Sequence, residues 1–281
     1  MQRLTRITTV MASAALLALV GTVRADVVDT RELMETIPVP ANEPLVVIVK
    51  NIIGPIHVTG HDANRVEMHA TETVRGDLQA DIERARAEMQ LRTETEPGRV
   101  AIRVRNIDED GDHRHSNWDN YSIAYDIEVR VPRGATLEVS TVNDGDVTIE
   151  DVNGEFDLKN VNGAVKLVRA GGSGSIHTVN GDVAASFARS PSEPTSFHTV
   201  NGEVDVTFPA NLSAELAFHT LQGDVFTDFD VESLSAPPDV QRNRGRYVMN
   251  TNRNSAFRVG TGGERHTFNT LNGDILVRKA N

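Results

Sequence analysis

The 281 residues contain no cysteine, so the fold has no disulfides, and an exported chain of this size would have to draw its stability from a packed core. It also rules out a lipobox. Aromatic side chains are few: Trp118 is the single tryptophan, beside three tyrosines and nine phenylalanines. That scarcity argues against a carbohydrate groove built on aromatic platforms. One long apolar run, Met11 to Val20, follows Arg3 and Arg6 and precedes Val23-Arg24-Ala25, a small-x-small cleavage pattern. The run is too short to span a membrane as a permanent helix. Residues 1–25 therefore read as a signal peptide, with a mature chain from Asp26 that is exported, periplasmic or secreted, and without a transmembrane segment. Cations are also in deficit. Removing Arg3, Arg6 and Arg24 takes Lys plus Arg from 28 to 25 against 40 acids, a formal charge of −15. Such a surface disfavours nucleic acid and anionic lipid as general partners.

A short phrase recurs: an aliphatic residue, Asn, Gly, usually an acid, then a second apolar residue. It appears as Val152-Asn153-Gly154-Glu155-Phe156, Val161-Asn162-Gly163-Ala164-Val165, Val179-Asn180-Gly181-Asp182-Val183 and Val200-Asn201-Gly202-Glu203-Val204. Leu221-Gln222-Gly223-Asp224-Val225 and Leu271-Asn272-Gly273-Asp274-Ile275 are variants, and Val142-Asn143-Asp144-Gly145-Asp146-Val147 carries one extra residue. The glycines step by nine from Gly145 through Gly154, Gly163 and Gly172 to Gly181, then by 21 to Gly202 and Gly223. Aligned on them, one apolar column runs Val139, Ile149, Leu158, Ile176, Phe197, Phe218, Phe268, and a second runs Val147, Phe156, Val165, Val183, Val204, Val225, Ile275. A third holds the Val or Leu before each Asn. Asn-Gly suits a tight turn because both residues tolerate positive φ.

Short β-branched runs between turn signals at a fixed period are strands, and columns of constant chemistry are stacked rungs. The expected fold is all-β: a β-solenoid whose coils each hold two strands, with one N-terminal amphipathic helix. No coil stands alone. Burying about three apolar side chains yields roughly 4–9 kcal/mol, while ordering about 20 residues costs on the order of 20–40 kcal/mol. Neighbouring coils must supply the rest, so the stack folds together.

In domain terms, residues 26–133 form an N-terminal β-rich portion and residues 134–281 the repeat solenoid. Ile53-Gly54-Pro55-Ile56 resembles a degenerate first copy of the repeat. Within residues 77–92 the period changes: Leu78, Ile82, Ala85 and Met89 share one helical face, and Arg84 stands four before Glu88. Such a helix is expected against the solenoid's flank or over its open end. Arg99 to Arg105 and Tyr121 to Val131 alternate and are expected to pair as a hairpin around a long polar loop. Phe229 to Phe257 interrupts the repeat.

Two stretches carry a resemblance. Leu45 to Asn51 with Gly54-Pro-Ile-His-Val-Thr-Gly60, and Tyr125 to Val139 followed by the Asn-Gly coils, are similar to the putative-adhesin family of unknown function with toast-rack-like, single-stranded β-solenoid domains. The resemblance implies that fold over nearly all of the mature chain and brings no catalytic residues with it.

Candidate sites follow from residue type. His177, His198 and His219 recur in one column, and stacking at about 4.8 Å would make them an outward ladder. A straight column serves a zinc tetrahedron poorly, so the ladder reads as a solvated or self-stacked histidine column, with a pH response, since charges so close oppose joint protonation, as the remaining alternative. Asp108, Asp110, Asp112, His113 and His115 crowd one loop that lacks the final glutamate of a calcium loop. No metal or other cofactor is therefore expected. The acids after the glycines, Asp146, Glu155, Asp182, Glu203, Asp224 and Asp274, would line one edge, and paired carboxylates are what glycoside cleavage uses. Their repeated turn position explains them without chemistry. Gly171 to Ser175 has the spacing of neither a nucleophile elbow nor a phosphate loop. Arg242, Arg244, Arg246, Arg253 and Arg258 form a local cationic excursion whose first reading is a solvated loop; the alternative is contact with an anionic envelope polymer, for which Arg242, Arg244 and Arg246 are the binding-face candidates. The expected function is a non-catalytic exported scaffold, adhesion or envelope-sensing module that binds an envelope protein or polysaccharide through a repetitive face. The competing class is a polysaccharide-active β-helical enzyme.

Overall fold

Apolar residues alternate with polar ones along nearly every strand, with the apolar phase buried and the polar phase facing out. Two such surfaces can hide their apolar phases only against each other. The computed structural model describes residues 27–41, 43–106, 120–234, 240–243, 246–249 and 255–280. Its described strands form one twelve-stranded and one eleven-stranded sheet, and the core lies between them.

In chain order the elements are β1 (Val27–Pro38), β2 (Val46–Lys50), β3 (Ile56–His61), β4 (Arg65–Gly76), α1 (Gln79–Glu88), β5 (Met89–Glu96), β6 (Arg99–Asn106) and β7 (Tyr121–Pro132). The regular part follows as β8 (Thr136–Ser140), β9 (Val147–Glu150), β10 (Phe156–Lys159), β11 (Val165–Ala170), β12 (Gly174–His177), β13 (Val183–Phe187), β14 (Ser196–His198), β15 (Val204–Phe208), β16 (Ala214–Gln222) and β17 (Val225–Thr227). The chain ends with β18 (Val231–Ser233), β19 (Val240–Asn243), β20 (Arg246–Met249), β21 (Ser255–Val259), β22 (Arg265–Asn272) and β23 (Ile275–Lys279).

The twelve-stranded sheet runs β1-β4-β7-β3-β9-β11-β13-β15-β23-β17-β20-β19, and the other runs β18-β21-β16-β22-β14-β12-β10-β8-β2-β6-β5. Each coil contributes one strand to each sheet, as the repeat requires. Coil-to-coil pairing is parallel through the stack, and it becomes antiparallel at both ends, where β1, β4 and β5 close one end and β18 to β21 the other. The sheets continue across residue 134, because β2 pairs with β8 and β3 with β9.

The stacking order differs from the chain order at both ends. The coil β2/β3 lies between β6/β7 and β8/β9, and the last coil, β22/β23, is wedged between β14/β15 and β16/β17. The core rings record this insertion: Phe268 stacks on Phe197 at 5.2 Å and on Phe218 at 5.2 Å. Repeat spacing cannot reveal it, since Phe268 and Phe218 fill the same column with the same side chain.

Several expectations are corrected. The column through Ile149 divides: Ile149 lies on β9 and Leu158 on β10, in opposite sheets. One step between successive glycines of the early repeat crosses the solenoid; two such steps, as from Leu158 to Ile176, return to the same side. The stretches around β6 and β7 are not a hairpin but the two halves of a coil, with β6 on β2 and β7 on β3. The helix is shorter than residues 77–92. It stops at Glu88, and Met89 opens β5. Ile82, Ala85 and Met89 are buried as their spacing implied, while Leu78 is exposed. The helix sits at the β1/β4/β7 end of the stack, and its Arg84 and Glu88 are 3.9 Å apart. In the repeated turns the glycines have positive φ, as at Gly163 and Gly202, but the asparagines before them do not.

Candidate functional site

One corner of the solenoid, where the chain passes from the eleven-stranded to the twelve-stranded sheet, is built from the repeated phrase. Each position there has its own task. The first is buried and polar: Thr178, Thr199, Thr270 and Thr220 donate their hydroxyls to the carbonyls of Gly163, Gly181, Gly202 and Gly273 in the adjacent coil, at 2.8–3.1 Å. Thr141 and Asn160 do the same toward Gly54 and Gly145. These bonds satisfy carbonyls that a tight corner turns away from the strand ladder.

The glycine permits close coil-to-coil approach. A β-carbon on Gly202 would stand 2.1 Å from the Gly181 carbonyl oxygen, well inside contact distance. The asparagine before it forms an amide ladder. Asn162 Nδ2 donates to Asn143 Oδ1 (2.8 Å), Asn180 to Asn162 (2.9 Å), Asn201 to Asn180 (2.8 Å) and Asn272 to Asn201 (2.6 Å). The acid after the glycine also links coils: Asp146, Asp182 and Asp274 accept the backbone N–H of Ala164, Glu203 and Asp224, each at 2.8 Å. Burial, followed by the nearby Asp205, Asp182 and Asp274, pushes the Glu203 carboxyl above its usual value. Glu155 is not in this row. It stands at the opposite, irregular corner, as does buried Val152.

The aliphatic residue of the phrase faces outward. Val142, Val161, Val179, Leu271 and Leu221 are 36–60% exposed, and they are five of the nine exposed large apolar side chains among the described residues. Backbone bonds linking successive rungs, with half-buried Val200 between Val179 and Leu271, set them in a single file. The edge thus carries an apolar row and an amide row with one side chain per rung, and an acid row interrupted at Ala164. The repeat reading placed this column among the apolar ones without separating it from the core. The signal was available: strict alternation from buried Thr178 and Thr199 sends the next side chain out.

The histidine ladder is interrupted. His177 and His198 stack with ring centroids 4.2 Å apart, but Asn269 of the inserted coil pairs with both His198 and His219. Burial, then His177 and His219, lower the His198 pKa. Among the described residues no three His, Asp or Glu side chains are grouped to hold a metal ion. Asp108, Asp110, Asp112, His113, His115, Arg244 and Arg253 lie outside the described residues. Arg242 and Arg246 lie on the β19–β20 ladder, in register with Tyr247 and Asn243.

An open depression of about 340 Å³ brings Glu138, Glu155, Asp157 and Glu193 to the eleven-stranded sheet. Burial pushes Asp157 up, but hydrogen bonds from Lys159 and Ser175 outweigh it and hold the carboxyl below its usual value. A glycosidase acid needs a carboxyl held up. Asp157 therefore does not fit that role.

Sequence reasoning missed a second feature, a buried ion cluster at the β1/β4/β7 end. Fully buried Glu72 receives Arg86 Nε at 2.6 Å, Arg31 Nη2 at 2.7 Å and the Tyr125 hydroxyl at 2.9 Å. Arg86 reaches on to Asp29 at 2.8 Å. The cluster ties α1, β1, β4 and β7 together. Burial, then the Glu72 charge, push the Tyr125 phenol far above its usual pKa. The clue was Glu72 in the apolar phase of β4, after Val66, Met68 and Ala70.

Residues 126–260 match the profile of a family described as Toastrack DUF4097. Among solved structures, the chain is similar to a putative cell adhesion protein from Clostridium sporogenes. The TM-score is 0.45 at 8% identity, over 90% of this chain and 100% of that one. It is also similar to a putative adhesin from Bacteroides fragilis (TM-score 0.36, 10% identity, 89% and 97% covered). A putative adhesin from Parabacteroides merdae gives a TM-score of 0.24 at 6% identity, with 90% and 96% covered. No curated protein matches the sequence. No helix among the described residues is long and apolar enough to cross a membrane.

Proposed function

Since the chain belongs, over residues 126–260, to the Toastrack DUF4097 family, we propose that it is a non-catalytic adhesion or envelope-sensing module, exported by its N-terminal signal segment, that binds an envelope component through the regular corner. The observation that carries this reading is the file of exposed Val and Leu side chains from Val142 to Leu221. Apolar side chains scattered singly over a surface need no explanation, whereas a contiguous row with polar borders marks an interaction site. The side chains on this row add nothing to the core, and the coil-to-coil bonds at the corner come from its Thr, Asn, Gly and Asp positions. A role outside the fold accounts for what the aliphatic position contributes.

The test is capture from envelope fractions by the chain without residues 1–25, compared with V161T/V179T. Both substitutions keep β-branched shape at exposed positions and should leave circular dichroism unchanged. Captured material that disappears with the variant supports the reading; equal capture by both proteins refutes it.

A further inference from the structure

The three rows of the corner also restrict what can lie on them, and this step rests on the reading above. The apolar row is narrow, one side chain per rung, at the rung spacing of about 4.8 Å. From Val142 to Leu221 it crosses six rungs, about 24 Å at that spacing. Beside it, Asp146, Asp182, Glu203, Asp274 and Asp224 line the same edge. Lys159 is paired with Asp157 and Arg278 with Asp205, and the acid row is broken on one rung, where Ala164 takes the acid position and exposed Lys166 follows it.

A partner must repeat its apolar groups near the rung spacing and bring positive charge to one side of them. An extended strand repeats same-face side chains at about 6.6–6.8 Å, out of step by the second rung. A second copy of this corner offers Val, Asn and acid rows but no row of cations; packed antiparallel it would set acid row against acid row, and in either direction it joins two chains of net charge −12. An α-helix lying along the row presents apolar residues at i, i+3/i+4 and i+7, once per turn of about 5.4 Å. Its drift is about 0.6 Å per rung, roughly 3 Å over the row, within the reach of a Leu or Met side chain. About 16 helical residues cover the length of the row. We propose that the regular corner is a docking surface for a basic amphipathic helix of another protein, its apolar stripe on the Val/Leu row and its Lys or Arg flank on the acid row.

Four synthetic peptides of that length test this by fluorescence anisotropy against the chain without residues 1–25. The first is a Leu/Lys helix with the i, i+3/i+4, i+7 pattern, and the second is its scramble of equal composition. The third carries Glu in place of Lys, and the fourth alternates Leu and Lys as a strand. The expected result is binding of the first alone. The affinity should fall about tenfold in V161T/V179T and about tenfold in E203Q/D224N, the latter with a shallower salt dependence. Equal binding of the scramble, preference for the alternating peptide, unchanged affinity in both variants, or self-association through the corner by sedimentation would each overturn the proposal. If no peptide binds while envelope capture still depends on Val161 and Val179, the helix assignment fails and the function reading stands. If capture does not depend on them, both fail.

Discussion

His266 should make this fold acid-sensitive. The ring is 1% exposed on β22, stacked on Phe208 with centroids 5.4 Å apart, and its Nδ1 lies 2.9 Å from the Thr195 hydroxyl. Burial lowers its pKa from 6.5 to about 4. In that window the unfolded chain binds a proton that the folded chain refuses, so stability rises with pH across it. The contribution is fully present above about pH 6.5 and is lost as pH falls toward about 4. At about 1.4 kcal/mol per pKa unit, the loss between about pH 7.5 and 5 is about 2 kcal/mol, and by about pH 4 it is about 3 kcal/mol. Lowered His198 acts in the same direction, and raised Glu203 in the opposite one, so the wild-type curve alone does not isolate His266. The difference from His266→Phe does, because phenylalanine keeps the ring on Phe208 and removes the titration. With an m-value of about 2–3 kcal/mol/M, the wild-type urea midpoint should fall by roughly 0.7–1 M more than the variant's between those pH values. Parallel curves for the two proteins would refute the buried, neutral histidine.

The inserted coil predicts a crosslinking pattern. H198C/N269C joins adjacent rungs about 4.8 Å apart and should form a disulfide on oxidation, whereas H198C/H219C spans two rungs, about 9.6 Å, and should not. The reverse result on mass spectrometry would mean that the coils stack in chain order. Gly202→Ala forces a methyl into the Gly181 carbonyl and should cost roughly 2–5 kcal/mol; an unchanged midpoint would contradict the close approach. Phe218→Ala empties one place in the ring stack with Phe268 and Phe257 and should cost about 3–5 kcal/mol by urea unfolding.

What the sequence determined by itself is the chemistry of a rung. Val183, Val204 and Ile275 fall on the buried phase, and the Thr-Val-Asn-Gly-Asp order already contains the corner, because period-two alternation and the small size of glycine act within a few residues. Tertiary structure alone decided which rung touches which. Phe197, Phe268 and Phe218 are chemically equivalent, so stacking them in chain order or with the last coil inserted satisfies the same local rules. The difference comes from antiparallel partners such as β21 on β16, which cover one side of the outer coil and leave the other for β22. The same holds for the site. Each Val of the repeat is legible as aliphatic, but it becomes a surface only when parallel pairing sets the copies in file, and it becomes a selective one when the acids line up beside them. The Glu72 cluster depends likewise on residues from four elements, Arg31, Glu72, Arg86 and Tyr125, whose meeting is a property of the packed end and not of any one segment.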